Sequence, residues 1–184
     1  MNGAESLVHT LAGSGIDVCF GNPGTSEMHF VAALDREPKM RDVLCLFEGV
    51  AAGAADGYAR MTGRPAATLL HLGPGFANAV SFLHNARKAA SPVVNIVGDH
   101  ATAHAQYAQA PLSSDIMGIC APVSHWLQRS VCAADVASDG ARAVQVARAA
   151  PGEVATLVLR ADTAWNDAEG PVPRLPVVGP KQSE

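Results

Sequence analysis

Residues 43–60 read Val-Leu-Cys-Leu-Phe-Glu-Gly-Val-Ala-Ala-Gly-Ala-Ala-Asp-Gly-Tyr-Ala-Arg. Val43 to Phe47 have the length and apolar character of a buried strand. A single acid, Glu48, follows, and residues 49–61 then read as an Ala/Gly-rich helix. Glycine costs a helix about 1 kcal/mol relative to alanine. Gly49, Gly53 and Gly57 together therefore predict that this helix lies very close to the sheet, with backbones in near contact. An apolar strand running straight into a helix is the repeating unit of a parallel α/β sheet.

The alternation extends in both directions. Residues 4–14 carry Leu7, Val8, Leu11 and Ala12 at helical spacing, and Gly13 or Gly15 ends that helix. Residues 17–20 form a short strand that enters Gly21-Asn22-Pro23-Gly24-Thr25, a cluster of turn formers. Ser26 is placed to cap a helix over 27–34. Residues 66–72 read as the third strand, Gly73-Pro74-Gly75 as a turn, and 77–89 as a helix. The fourth strand, 93–97, is followed by Gly98-Asp99. Residues 100–114 form a long loop with at most one helical turn, and loops of that length usually serve a function. A short strand over 123–131, an amphipathic helix over 139–150 and a last strand over 153–159 complete the pattern. The expected fold is a three-layer α/β/α domain over residues 1–168, with a mostly parallel sheet of about six strands. Pro171, Pro173, Pro176 and Pro180 make residues 169–184 an expected Pro-rich linker, the mark of a chain cut from something longer.

The chain has 184 residues, one domain's worth. With 48% hydrophobic and 16% charged residues it has ample core, and some surface suited to a partner. A net charge of −4, with Arg36, Lys39, Arg41 and Arg87-Lys88 scattered, argues against nucleic acid. The apolar runs are strand-sized, too short to cross a bilayer, and Met1 to Glu5 lack the basic region of a signal peptide. Cys19, Cys45, Cys120 and Cys132 form no C-x-x-C pair. Cys19 and Cys45 are expected to be buried as small hydrophobes, and the cytoplasm is the default compartment.

Three strand-to-loop junctions stand out: Gly21 to Thr25, Phe47-Glu48-Gly49, and His71 to Gly75. Ligands of open parallel sheets bind beyond the carboxyl ends of the strands, so these junctions are expected to line one crevice. Burial disfavours the charged form of a carboxyl group, which suits Glu48 to sharing a proton with a ligand nitrogen. A helix N-terminal acid favoured by the macrodipole is the plain alternative. Taken alone, Thr25 is placed to cap the helix that follows, and His71 reads as a satisfied core histidine. His100 and His104 have i,i+4 spacing, but the sequence supplies no third ligand, and no metal is assigned to this chain.

The residues that carry these features come in a recognisable order. Phe20-Gly21-Asn22-Pro23-Gly24-Thr25, Phe47-Glu48-Gly49 leading into Ala55-Asp56-Gly57-Tyr58-Ala59-Arg60, Gly73-Pro74-Gly75-Phe76-Ala77-Asn78, Ser91-Pro92-Val93 and Gly98-Asp99 follow one another. The series resembles the N-terminal, pyrimidine-binding domain of thiamine diphosphate-dependent 2-oxo acid enzymes, the acetolactate synthase and benzoylformate decarboxylase group, from about residue 4 to about residue 162. The resemblance implies that Glu48 hydrogen-bonds N1′ of the cofactor's aminopyrimidine, so that the cofactor loses its thiazolium proton and attacks a 2-oxo acid. It assigns Asn22, Pro23, Gly24, Glu48, Gly73 and Asn78 to the cofactor, Thr25 and His71 to the substrate, and Glu48 and His71 to catalysis.

It also implies what lies elsewhere. Magnesium and the cofactor's diphosphate belong to a separate domain or partner subunit in a homodimer or tetramer; a flavin (FAD) is possible in the full-length protein but not indicated here. Gly98-Asp99-His100 is not the magnesium motif of the family. The loop over 100–115 lacks the Gly-Thr-Asp-Ala-Phe-Gln-Glu pattern of acetolactate synthases, which argues against acetolactate formation. Two other readings remain: a small subunit paired with a separate diphosphate-binding subunit, and a non-catalytic nucleotide-binding module. The second lacks both G-x-G-x-x-G and a P-loop lysine.

Overall fold

The computed structural model describes residues 1–107, 110–177 and 179. Its strands are β1 (Val18–Asn22), β2 (Arg41–Leu44), β3 (Ala66–Leu70), β4 (Val93–Asp99), β5 (Trp126–Arg129) and β6 (Val154–Arg160). They form one sheet in the order β2-β1-β3-β4-β6-β5, and every pairing is parallel. The helices are α1 (Gly3–Gly13), α2 (Met28–Leu34), α3 (Glu48–Thr62), α4 (Leu72–Lys88), α5 (Ile116–Cys120), α6 (Val136–Ala147) and α7 (Ala161–Trp165). No helix among the described residues is long and apolar enough to cross a membrane.

Alternation along the strands builds two cores. On β3, Ala67 and Leu69 face α1, α2 and α6, where Leu7, Leu11, Phe30 and Val144 are buried. Ala66 and Leu70 face α3 and α4, where Ala51, Ala55, Phe76 and Leu83 are buried. Successive side chains of a strand point to opposite faces, so a strand covered on both sides must be apolar throughout. The middle of the sheet departs from that rule at Thr68, Asn95 and Thr156, all fully buried. Thr68 Oγ1 donates to Asn95 Oδ1 (2.8 Å), and Asn95 Nδ2 donates to Thr156 Oγ1 (3.1 Å).

The three-layer expectation holds, with differences in where elements begin and end. The second strand covers Arg41–Leu44 rather than 43–47. Being at the sheet edge, it has only β1 as a neighbour, and the chain turns away after Cys45 N–H donates to Gly21 O. Glu48 is therefore the first residue of α3, not the tip of a strand. The fourth helix starts at Leu72, not 77, and takes Gly73-Pro74-Gly75 into its first turn. A proline is tolerated there because the first helical N–H groups have no acceptor within the helix. Ser26 does not cap α2; Thr25–Glu27 form a 3-10 turn instead. Helices α5 and α7 were not expected.

The glycines of α3 serve a neighbouring helix rather than the sheet. A Cβ on Gly49 would lie 2.6 Å from a ring carbon of Phe82 on α4, and one on Gly53 3.2 Å. Gly57 has nothing near it. Cys19 and Cys45 are buried as expected. The described part of the Pro-rich tail has no helix or strand and lies along α1 and α6: Val172 N–H donates to Thr10 Oγ1 (3.1 Å) and Gln145 Nε2 to Pro176 O (2.5 Å). Residue 178 and residues 180–184 of the expected linker, and residues 108–109 of the long loop, lie outside the described residues.

Replacing Thr68 by Val strips Asn95 Oδ1 of its donor inside the sheet. We expect a loss of about 1–3 kcal/mol in urea unfolding, the cost of an unsatisfied buried acceptor. A stability within about 0.5 kcal/mol of the parent, the range of ordinary surface changes, would show that the chain of polar groups is dispensable.

Candidate active site at the carboxyl ends of the strands

Parallel register places three strand ends side by side. Asn22 of β1 pairs with Leu70 of β3, and Leu70 with Val97 of β4. The residues that follow, Gly24, His71 and Gly98, therefore emerge together, and a fourth residue joins them. Glu27, at the end of the 3-10 turn, is 2% exposed. Its side chain folds back so that Oε2 accepts the Gly24 N–H (2.7 Å) and lies 2.7 Å from His71 Nδ1. Oε1 is buried with no hydrogen-bond partner.

Two glycines make this arrangement possible. Any Cβ on Gly98 would collide with the Glu27 carboxyl group, and any on Gly24 with the His71 ring. Burial pushes the Glu27 carboxyl group above its ordinary value, opposed by the Gly24 N–H and by His71. His71 itself precedes the first residue of α4. With Nδ1 taken by Glu27, its Nε2 makes no hydrogen bond to the described residues.

The His71 ring opens onto a cavity of about 320 Å³. Thr25, Leu72, His100, His104, Leu112 and Trp165 also line it. His100 and His104 stack, with ring centroids 5.3 Å apart. Thr25 is exposed, starts the 3-10 turn and has no side-chain hydrogen bond among the described residues, so it is not a helix cap.

Glu48 sits on the other side of the first turn of α4. It is 7% exposed. Asn78 Nδ2 donates to Oε2 (2.9 Å), and Oε1 has no such partner among the described residues. A Cβ on Gly75 would lie 2.9 Å from Oε1, so glycine leaves that oxygen uncovered. Gly75 N–H donates to His71 O, so the glycine that borders Glu48 lies one turn of α4 along from His71.

Of the residues singled out from the sequence, Thr25 and His71 share the cavity, and Glu48 and Asn78 share a hydrogen bond. Asn22, Pro23 and Gly24 form the turn beside His71. Gly73 serves a different neighbour, since its missing side chain makes room for Ser114. Sequence reading missed Glu27 and Trp165. Glu27 did carry a signal: an acid three residues after the Gly24 turn has the spacing of a capping box.

The fold and site define a parallel α/β domain that gathers two buried acids and an imidazole at its strand ends. Residues 1–135 match the family described as thiamine pyrophosphate enzyme, N-terminal TPP binding domain, and the chain belongs to that family. It is 59% identical over 167 residues to IlvX of Mycobacterium tuberculosis, whose name is that of an acetolactate synthase large subunit. That alignment covers 91% of this chain and 32% of the relative. Benzoylformate decarboxylase of Pseudomonas aeruginosa is 33% identical over 137 residues, covering 74% of this chain and 26% of that protein. Among solved structures, the thiamine diphosphate-dependent 4-hydroxybenzoylformate decarboxylase of Rhodococcus jostii RHA1 superposes with a TM-score of 0.85 at 27% identity, over 92% of this chain and 32% of that one. The chain thus spans about a third or less of the length of these relatives.

The Glu27 carboxyl carbon is expected to titrate above the ordinary glutamate value in an NMR pH series. In His71→Ala it should move higher still, because the histidine acts to lower it. The folded state then holds this proton more tightly than the unfolded chain, so Glu27 makes stability fall as pH rises from about 4.5. An ordinary titration, or a downward move in the variant, would contradict the burial argument.

Proposed function

We propose that this chain is the aminopyrimidine-binding part of a thiamine diphosphate-dependent 2-oxo acid decarboxylase. The observation that carries the reading is Glu48, a buried carboxyl group with one oxygen held by Asn78 and the other uncovered beside Gly75. That is the donor set a ring nitrogen needs if it is to share a proton with the protein. The residues therefore fit the cofactor. When bound, it supplies an acidic carbon that, once deprotonated, adds to a keto group and takes up the electrons released as carbon dioxide leaves.

Glu48 shares its proton with the ring nitrogen through the uncovered Oε1. Asn78 is a positioning residue that fixes the carboxyl plane. The Asn22-Pro23-Gly24 turn offers backbone to the ring. His71, oriented by Glu27 at Nδ1, holds or delivers a proton at Nε2 on the cavity side, where Thr25 also reaches. An imidazole placed to deliver a proton to the carbon that has lost carbon dioxide would favour release of an aldehyde over addition to a second carbonyl compound. The cavity's ring-bearing wall of His100, His104 and Trp165 favours an aromatic 2-oxo acid, and both decarboxylase relatives are named for one.

Glu48 also needs a partner to keep water away. Around it Leu46 is 91% exposed, Val50 55% and Phe47 43%, with Phe82 on α4 partly exposed too. An apolar surface of that kind marks an interface, and we assign it to the domain or subunit that holds magnesium and the diphosphate, in a homo-oligomer. Four unpaired cysteines fit a reducing compartment, and the cytoplasm is the proposed setting.

The natural enzyme in its complete assembly, given thiamine diphosphate, magnesium and a panel of 2-oxo acids, should release carbon dioxide from an aromatic member. Glu48→Gln should lower turnover by about 10²-fold or more, the scale of a lost proton-transfer group. Turnover that survives the substitution unchanged would sink the mechanism.

A further inference from the structure

At the opposite end of the sheet lies a second concavity, of about 660 Å³, which the chemistry above does not use. It is bounded by Pro65, Pro92 and Gly152, the residues that lead into β3, β4 and β6. The length of a five-residue strand, about 17 Å, separates it from His71. Four arginines line it, Arg60, Arg64, Arg148 and Arg174, and no acid does. That is a local excess in a chain whose net charge is −4.

The four are not equivalent. Arg60 is committed to Asp56, with both carboxyl oxygens engaged at 2.7 and 2.8 Å. Arg64 pairs with Asp17 at 2.8 Å and donates to Tyr58 Oη at 2.6 Å. Arg148 and Arg174 have no carboxylate within ion-pair distance among the described residues. Arg148 is half-buried, and among the described residues its guanidinium makes one hydrogen bond, a long one to Ser14 O at 3.3 Å. Arg174 comes from the Pro-rich tail, which the bonds at Val172 and Pro176 pin on either side of it. The fold thus spends ordered backbone to hold a second guanidinium near a partly desolvated first one, where the two repel. Like charges held together in a concavity are the signature of a site completed by an anion.

We propose that this cleft binds the phosphate or diphosphate group of a small organic anion, gripped between Arg148 and Arg174. Planar guanidinium groups meet phosphate oxygens in pairs of hydrogen bonds. The volume lies within the range of small-molecule sites, roughly 300–1,000 Å³, and exceeds what a lone phosphate fills. The committed pairs Arg60–Asp56 and Arg64–Asp17 form its rigid wall. Nothing in this assignment depends on the reading of Glu48.

Calorimetry on the purified protein, with magnesium withheld so that no diphosphate site elsewhere is loaded, tests it. Inorganic phosphate, inorganic pyrophosphate and ADP are titrated separately. At least one of the last two should bind saturably, with one site per chain and a dissociation constant below about 1 mM. Binding should weaken as salt rises. Arg148→Ala with Arg174→Ala should weaken it about tenfold or more, and Arg174→Ala alone should weaken it part of the way. The single variant protects the test against misfolding, since Arg174 is exposed on the tail. Absence of saturable binding, or binding that both variants leave unchanged, overturns the proposal.

Discussion

One buried carboxyl group ties three strand ends together. Glu27 takes the Gly24 N–H and the His71 imidazole on a single oxygen, with the other pressed into the notch that Gly98 leaves in β4. The contacts come from three neighbouring strands or the turns that follow them, and the parallel register of β1, β3 and β4 makes them meet. The arrangement is costly: one carboxyl oxygen has no partner, and burial opposes ionisation. Such a group persists where the histidine must be held in one orientation. The same contact also fixes the Asn22-Pro23-Gly24 turn, so the site's backbone and its imidazole are set by one side chain.

Much of this was legible before any coordinates. The strand-helix alternation gave six strands and their order of succession, because apolar runs and helical repeats differ in period. Their place after apolar runs left Glu48 and His71 each with a plain alternative, and it is the family resemblance that singles them out. The errors have a common cause. Val43 to Phe47 is apolar enough to be a strand, yet β2 stops at Leu44, because an edge strand is held by one neighbour only. Hydrophobicity alone does not say whether a residue is buried within the domain. Leu46, 91% exposed, is the clearest instance.

Gly73-Pro74-Gly75 misled for a related reason: residues that punctuate chains are also those that fit the first turn of a helix. The role of Glu27 was hidden because its partners, Gly24, His71 and Gly98, are 3, 44 and 71 positions away along the chain. Only the nearest of them leaves a trace in local spacing. The close packing expected of the α3 glycines, placed against the sheet, is found at Gly49 and Gly53 against Phe82 of another helix, with Phe47 also on Gly49, and not at Gly57.

The two buried acids of the site are held in different ways. Glu27 faces inward, bonded to protein on one oxygen and shut in on the other, and acts through the imidazole it orients. Glu48 is held on one oxygen only, and its second oxygen stays uncovered next to a glycine. The first acid is finished by its own fold. The second lies next along the chain to apolar side chains, Leu46, Phe47 and Val50, that this domain leaves exposed.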